Sequence, residues 1–215
     1  MASGKTQNSL QIWQIAKINL RHNFIPLLLL SAVVMILTPV LFGTTNLDSL
    51  AAAIPLEMFI STMGIILLVP IFQPEQNSEI EDIVTSQYVD CIYVYMIRVA
   101  YSIIGLALLI LLFSGYMLIC GCDISVALIF GTLTDAMFLG SIGLLVAAVT
   151  NNQPVSFMAS SLYYGLNLFS RNKLGIFSLF SMMNGDYSPN IWLFTVSIVL
   201  MAAAVILKRA AEKYR

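Results

Sequence analysis

The sequence predicts an all-α, polytopic membrane protein, and three observations lead there. The 215-residue chain is 59% hydrophobic and 10% charged, against roughly 25% charged in a soluble domain. Its mean hydropathy is +0.90. Its apolar residues are gathered into runs near the ~20 residues that a helix needs to cross the hydrocarbon core, with most charges confined to the segments between them. Backbone groups in hydrocarbon have no water to bond, so such runs must pair their own N–H and C=O groups as helices. Ten Lys plus Arg against eleven Asp plus Glu give a net charge of −1, which lacks the basic footprint of a nucleic-acid binder. Three cysteines, with Cys120 and Cys122 close together, make neither an even disulfide framework nor the four ligands of a structural zinc. No internal repeat or linker marks off a second domain.

Residues 1–24 read as a cytoplasmic and interfacial amino-terminal region. Within 8–24, Gln11, Gln14, Lys17 and Arg21 fall in one broad helical sector, while Ile12, Trp13, Ala16 and Leu20 lie opposite, with Ile15 and Ile18 blurring the pattern. Such a helix can lie in the headgroup layer, Trp13 at the interface and Lys17 and Arg21 toward lipid phosphate. An ordinary lead-in to the first span is the plainer alternative. A six-span domain at 25–207 follows. The first span, 25–42, is free of charge, with Pro26 in its first turn, where a missing N–H costs little, and Pro39 placed to kink its far end. This run exceeds the ~7–15 residues of a signal-peptide core, and no small-x-small cleavage site follows it convincingly.

The second span, 50–73, carries Glu57, expected to be solvated because it lies toward a span end. The third, 99–122, runs to a turn at Gly121, Cys122 and Asp123, and the fourth, 125–149, contains Asp135. Thr150, Asn151, Asn152, Gln153 and Pro154 break the chain before the fifth span, 155–170. Residues 174–183 are apolar but too short to cross, so they are expected to re-enter or lie at the interface. The sixth span, 191–207, meets a cationic cytoplasmic tail, 208–215. Six spans put both termini on one face. Lys5, Lys17, Arg21, Arg98, Lys208, Arg209, Lys213 and Arg215 share that face, against Arg171 and Lys173 on the other, so the positive-inside rule makes both ends cytoplasmic.

The loop 74–88, between the second and third spans, is acidic. Ser78 is placed to cap a helix whose first turn holds Glu79, Glu81 and Asp82, where the positive end of the helix dipole favours anions. Ile80, Ile83 and Val84 recur at i, i+3 and i+4, giving that short helix an apolar stripe beside its acidic face. Docking is one use of such a shape, and a solvated acidic loop is the other. After it, 89–98 is amphipathic and Tyr-rich, with Tyr88, Tyr93 and Tyr95 suited to the membrane boundary.

This layout resembles the permease subunits of ABC-2 type transporters, which combine an interfacial amino-terminal helix, six spans, a helix in the first cytoplasmic loop and a short embedded segment between the fifth and sixth spans. In that family the loop helix is a coupling helix seated in a cleft of a separate ATPase, preceded by an acidic residue and followed by a basic one at the start of the third span. Glu75, the segment 79–86 and Arg98 occupy those positions here. The resemblance implies a permease for ATP-driven export of a peptide or other amphiphile. It implies cytoplasmic ABC ATPase subunits that bind ATP and Mg, a second permease chain in a homodimer or heterodimer, and a bacterial cell membrane. This chain is then not an enzyme and binds no cofactor. Ser3, Gly4, Lys5 and Thr6 mimic the end of a phosphate-binding loop, but no earlier glycine stands at the required spacing.

Within the spans, Asp135 stands out, because a carboxylate at mid-helix costs several kcal/mol unless it is protonated, paired or wet. It is expected to line a translocation path, to bond a neighbouring helix with Thr132 or Thr134 nearby, or to lie near the outer surface. Ala136, Gly140, Gly143 and Ala147 form a stripe of small residues on the same helix, a pattern that lets helices approach closely within the chain or across a dimer. A proton-coupled secondary transporter or channel using Asp135 is the alternative function. An intramembrane enzyme would need convergent acids, bases or metal ligands, and the only histidine, His22, precedes the first span.

Overall fold

The computed structural model describes residues 24–76, 91–170 and 175–213. All regular structure among them is helical. Helix α1, Ile25–Phe42, begins with Pro26 in its first turn and stops at Gly43, whose φ of 63° favours glycine. Its buried residues are Ser31 and Thr38, whose hydroxyls donate to the Leu27 and Val34 carbonyls at 3.0 and 2.8 Å. Leu29, Leu30, Val33, Ile36, Val40 and Leu41 are exposed.

The second apolar run is long and apolar enough for the span expected at 50–73, but it is not one unbroken α-helix. It divides into α2 (Ser49–Met58), a 3₁₀ turn (Ile60–Thr62), α3 (Met63–Leu68) and a 3₁₀ segment (Val69–Gln76). Asp48 caps α2 by accepting the Ala51 N–H at 3.1 Å. The hydroxyls of Ser61 and Thr62 then donate to the Glu57 and Phe59 carbonyls, competing with the helical ladder where the α form gives way. Pro70 has no N–H with which to continue the ladder, and the tighter segment begins beside it.

Helix α4, Cys91–Ile119, merges the amphipathic segment 89–98 with the third span, so the expected start at 99 falls well inside a helix. At 29 residues it extends about 44 Å. Helix α5, Val126–Thr150, is capped by Ser125, which accepts the Leu128 N–H at 3.2 Å, and ends on Asn151 in the left-handed region. Helix α6 is Gln153–Ser170. Two 3₁₀ turns, Gly175–Phe177 and Met182–Asn184, lead into α7, Ser188–Lys213, which runs through the Lys208 and Arg209 positions expected in a separate tail.

Helix α5 is the axis of the molecule, with α3, α6 and α7 packed around it. Among the described residues, five stretches are long and apolar enough to cross a membrane: Ile25–Phe42, Ser49–Gln73, Ile92–Ile119, Val126–Thr150 and Ser188–Ala211. The connections sort to two ends. At one, Asn46 N–H donates to the Cys120 carbonyl (3.1 Å), Asp123 N–H donates to the Leu47 carbonyl (2.9 Å), and Gly185 approaches Leu50. At the other, Lys208 Nζ donates to Asn151 Oδ1 at 2.8 Å.

Residues 178–182 turn into the interior, whereas Gly175, Ile176 and Phe177 are exposed. Leu179, Phe180 and Met182 are buried. Tyr163 donates its hydroxyl to the Phe177 carbonyl (2.6 Å), and Leu179 N–H donates to Asn167 Oδ1 (3.0 Å). Helix α6 accordingly buries Ser156, Ser160 and Asn167 while exposing Met158, Leu162, Leu166 and Phe169. Polar groups inside and apolar side chains outside invert the soluble pattern. This arrangement is compatible with a multi-pass membrane protein.

Candidate functional site

The polar centre of the fold is built on a carboxylate that sequence reasoning left in solvent. Glu57 is 1% exposed. Its Oε1 accepts the Met182 N–H at 2.7 Å and its Oε2 accepts the Met183 N–H at 3.0 Å. The second apolar run folds back against the 3₁₀ turn Met182–Asn184, and the free amides at the start of that turn take the carboxylate. Both oxygens are therefore satisfied by the protein, which explains how the group stays inside without water.

Asp135 lies at the middle of α5 and is 0% exposed. Neither of its oxygens has a hydrogen-bond partner. The neighbouring hydroxyls do not serve it: Thr132 donates to the Leu128 carbonyl and Thr134 to the Phe130 carbonyl, both at 2.9 Å. Burial among helices also excludes the reading that it lies wet at a surface. Glu57 is within electrostatic range of Asp135, as is Tyr163 of α6.

Met182 joins the two acids. Its amide sits on Glu57, and its sulfur fills the notch left by Gly131, one turn before Asp135; a Cβ on Gly131 would lie 2.2 Å from that sulfur and 2.5 Å from Asn190 Nδ2. Ser181 Oγ and Asn190 Oδ1 flank this contact in the chain, are buried, and have no partner. Sequence reasoning passed over Ser181, Met182 and Asn190, because a Ser or Asn beside a turn carries no periodic signal. Among the described residues, no three His, Cys, Asp or Glu side chains group as a metal centre.

The small residues of α5 line contacts inside this chain. Ala136 and Ala147 are fully buried. A Cβ at Gly64 of α3 would lie 1.8 Å from the Ala136 carbonyl oxygen, and one at Gly140 would meet Leu68 and the Gly64 carbonyl. Gly143 faces Val69 and Ser160, and Ser160 donates across to the Leu139 carbonyl at 2.9 Å. Tyr164 hydrogen-bonds the Met58 carbonyl.

Toward the opposite end, Arg98 is buried rather than solvated. Its Nη1 donates to the Ile71 carbonyl at 3.0 Å, and its guanidinium lies 5.9 Å from the Tyr95 ring centroid. Glu75 lies on the 3₁₀ segment Val69–Gln76. The other expected docking residues, Glu79, Ile80, Glu81, Asp82, Ile83 and Val84, and the interfacial Trp13, Lys17 and Arg21, lie outside the described residues. No family model, curated protein or solved structure matches the chain.

Proposed function

We propose that this chain is the membrane-spanning permease subunit of an ATP-driven exporter, worked by a separate cytoplasmic ATPase through the loop 74–88. The observation that carries the reading is the clasp beneath that loop: Arg98 Nη1 on the Ile71 carbonyl. It ties the segments on either side of the loop, so a push received there is delivered to both. From Arg98, α4 continues as one unbroken helix to Ile119. At about 44 Å it exceeds the ~30 Å hydrocarbon core, so its first turns, clasped to the end of the second run through Arg98, can act as a lever. On the other side, α3 is locked to α5 by the Gly64–Ala136 contact. Displacement of packed helices between two arrangements is the usual form of such a switch.

In this reading α6 is the sixth crossing. It starts next to Asn151 at the Lys208 end, and its second half is bonded to Phe177 and Leu179, which lead toward the Gly185 end. Both termini face the cytoplasm of a bacterial cell membrane, a second permease chain completes the pathway, and an amphiphile such as a peptide is the cargo.

Purification in mild detergent tests the proposal. An ATPase subunit should accompany the chain, and the triple change Glu79→Lys, Glu81→Lys and Asp82→Lys should release that subunit while leaving this chain in the membrane. A chain that purifies alone and moves ions or protons in liposomes unaided would replace the permease reading with a secondary transporter or channel.

A further inference from the structure

We infer that Asp135, with Ser181 and Asn190, forms a buried binding site for a single monovalent cation, either a proton or sodium. Four oxygens support it: Asp135 Oδ1 and Oδ2, Ser181 Oγ and Asn190 Oδ1 all lack a partner although their residues are at most 4% exposed. Met182 links the segments that carry them. Met182, next to Ser181, places its amide on Glu57 and its sulfur against Gly131, where the Asn190 amide also lies, one helical turn from Asp135. Buried side-chain oxygens without a partner are uncommon in a folded interior.

The charge balance points the same way. Glu57 is the companion acid, and its two oxygens are already taken by the Met182 and Met183 amides. Among the described residues, no cation is supplied by the stretch from Ile60 to Gln73, by residues 175–184 or by α7 before Lys208, which contain no titratable side chain. From α6 the group in range is Tyr163, and Arg98 of α4 is bonded to the Ile71 carbonyl. Asp135 therefore stands with neither a hydrogen bond nor a counter-charge, and one positive charge bound there supplies both. One carboxylate and two neutral oxygens form a donor set for a hard monovalent ion or for a proton, whereas a divalent ion would draw in more acids. The site does not depend on an ATP-hydrolysing partner.

Infrared difference spectra of the full-length chain in detergent, wild type against Asp135→Asn, test the inference at neutral pH with and without sodium. A protonated-carboxyl band that disappears in the variant and is indifferent to sodium identifies the proton as occupant. Exchange of that band for a carboxylate band when sodium replaces choline, together with a higher unfolding midpoint that Asp135→Asn abolishes, identifies sodium. An Asp135 carboxylate band already present without sodium, and no sodium effect on the midpoint, overturns the proposal, as does a variant identical to wild type in both measurements. Should Asp135→Asn not accumulate, Glu57→Gln leaves Asp135 in place, and the same two signals must then persist.

Discussion

Glu57 and Gly64 lie on neighbouring pieces of one apolar run, and each makes a contact that substitution can isolate. Glu57→Ala removes the acceptor for the buried Met182 amide and the part-buried Met183 amide. An unsatisfied buried donor costs about 1–3 kcal/mol. Glu57→Gln keeps one acceptor oxygen, so thermal unfolding in detergent should show the larger loss for Ala. Equal losses would mean that the negative charge, rather than the pair of acceptors, holds the turn. At Gly64 a methyl group would collide with the backbone of Ala136, not with a flexible side chain. Gly64→Ala must push α3 from α5, an overpacking cost of about 1–3 kcal/mol or more. Gly115 on α4 has open space around its Cβ position, so Gly115→Ala should be neutral or stabilising by up to about 1 kcal/mol. Equal responses at the two glycines would remove close approach as the reason for Gly64.

At the scale of elements, α6 makes the most distinctive prediction, because its pattern is reversed. Ser160 is buried and bonded to the Leu139 carbonyl, whereas Leu162 is 68% exposed. Ser160→Leu should therefore destabilise the chain in detergent, through both lost hydrogen bonding and overpacking. Leu162→Ala should change stability by no more than about 0.5 kcal/mol. A soluble amphipathic helix would respond in the opposite order, so the unfolding midpoints separate the two cases. The bounds of α1 and α5 were legible in the sequence because their apolar runs are flanked by Pro26, Gly43, Ser125 and Asn151, whose backbone preferences mark ends. The division of the second run was not. Its breaks come from Ser61 and Thr62 hydroxyls turning back on their own carbonyls and from Pro70, none of which alters the hydropathy that suggested one span. Glu57 was misplaced for a related reason: its distance along the chain from a span end was visible, but the returning segment that covers it comes from residues 182–183. Asp135 was legible because a lone acid in a long apolar helix is conspicuous. The Ser181 and Asn190 oxygens were hidden because only the fold brings the turn after Ser181 and the start of α7 against α5.

For the whole molecule, the order of its two ends decides between five and six crossings. Thr45, Asp123 and Asp186 are exposed beside the end where the 43–48 and 120–125 loops bond each other and Gly185 meets Leu50; Asn152 and Ala210 are exposed beside the Lys208–Asn151 bond. Single cysteines in a cysteine-free background report on these ends separately. With both termini inside, an impermeant maleimide applied to intact cells should label Thr45→Cys, Asp123→Cys and Asp186→Cys, and should reach Asn152→Cys and Ala210→Cys only after permeabilisation. The decisive pair is Asn152→Cys and Asp186→Cys, because a single traverse of residues 153–187 puts them on opposite sides. Labelling of both from the same side would leave α6 as a helix packed along the others without crossing, and it would take with it the placement of the cationic α7 terminus and the 74–88 loop on one cytoplasmic face. Inversion of the whole set would keep six crossings but move that loop outside, away from any cytoplasmic ATPase. The positive-inside asymmetry predicts against such inversion, since Lys208 and Arg209 both lie at the Asn151 end of α7.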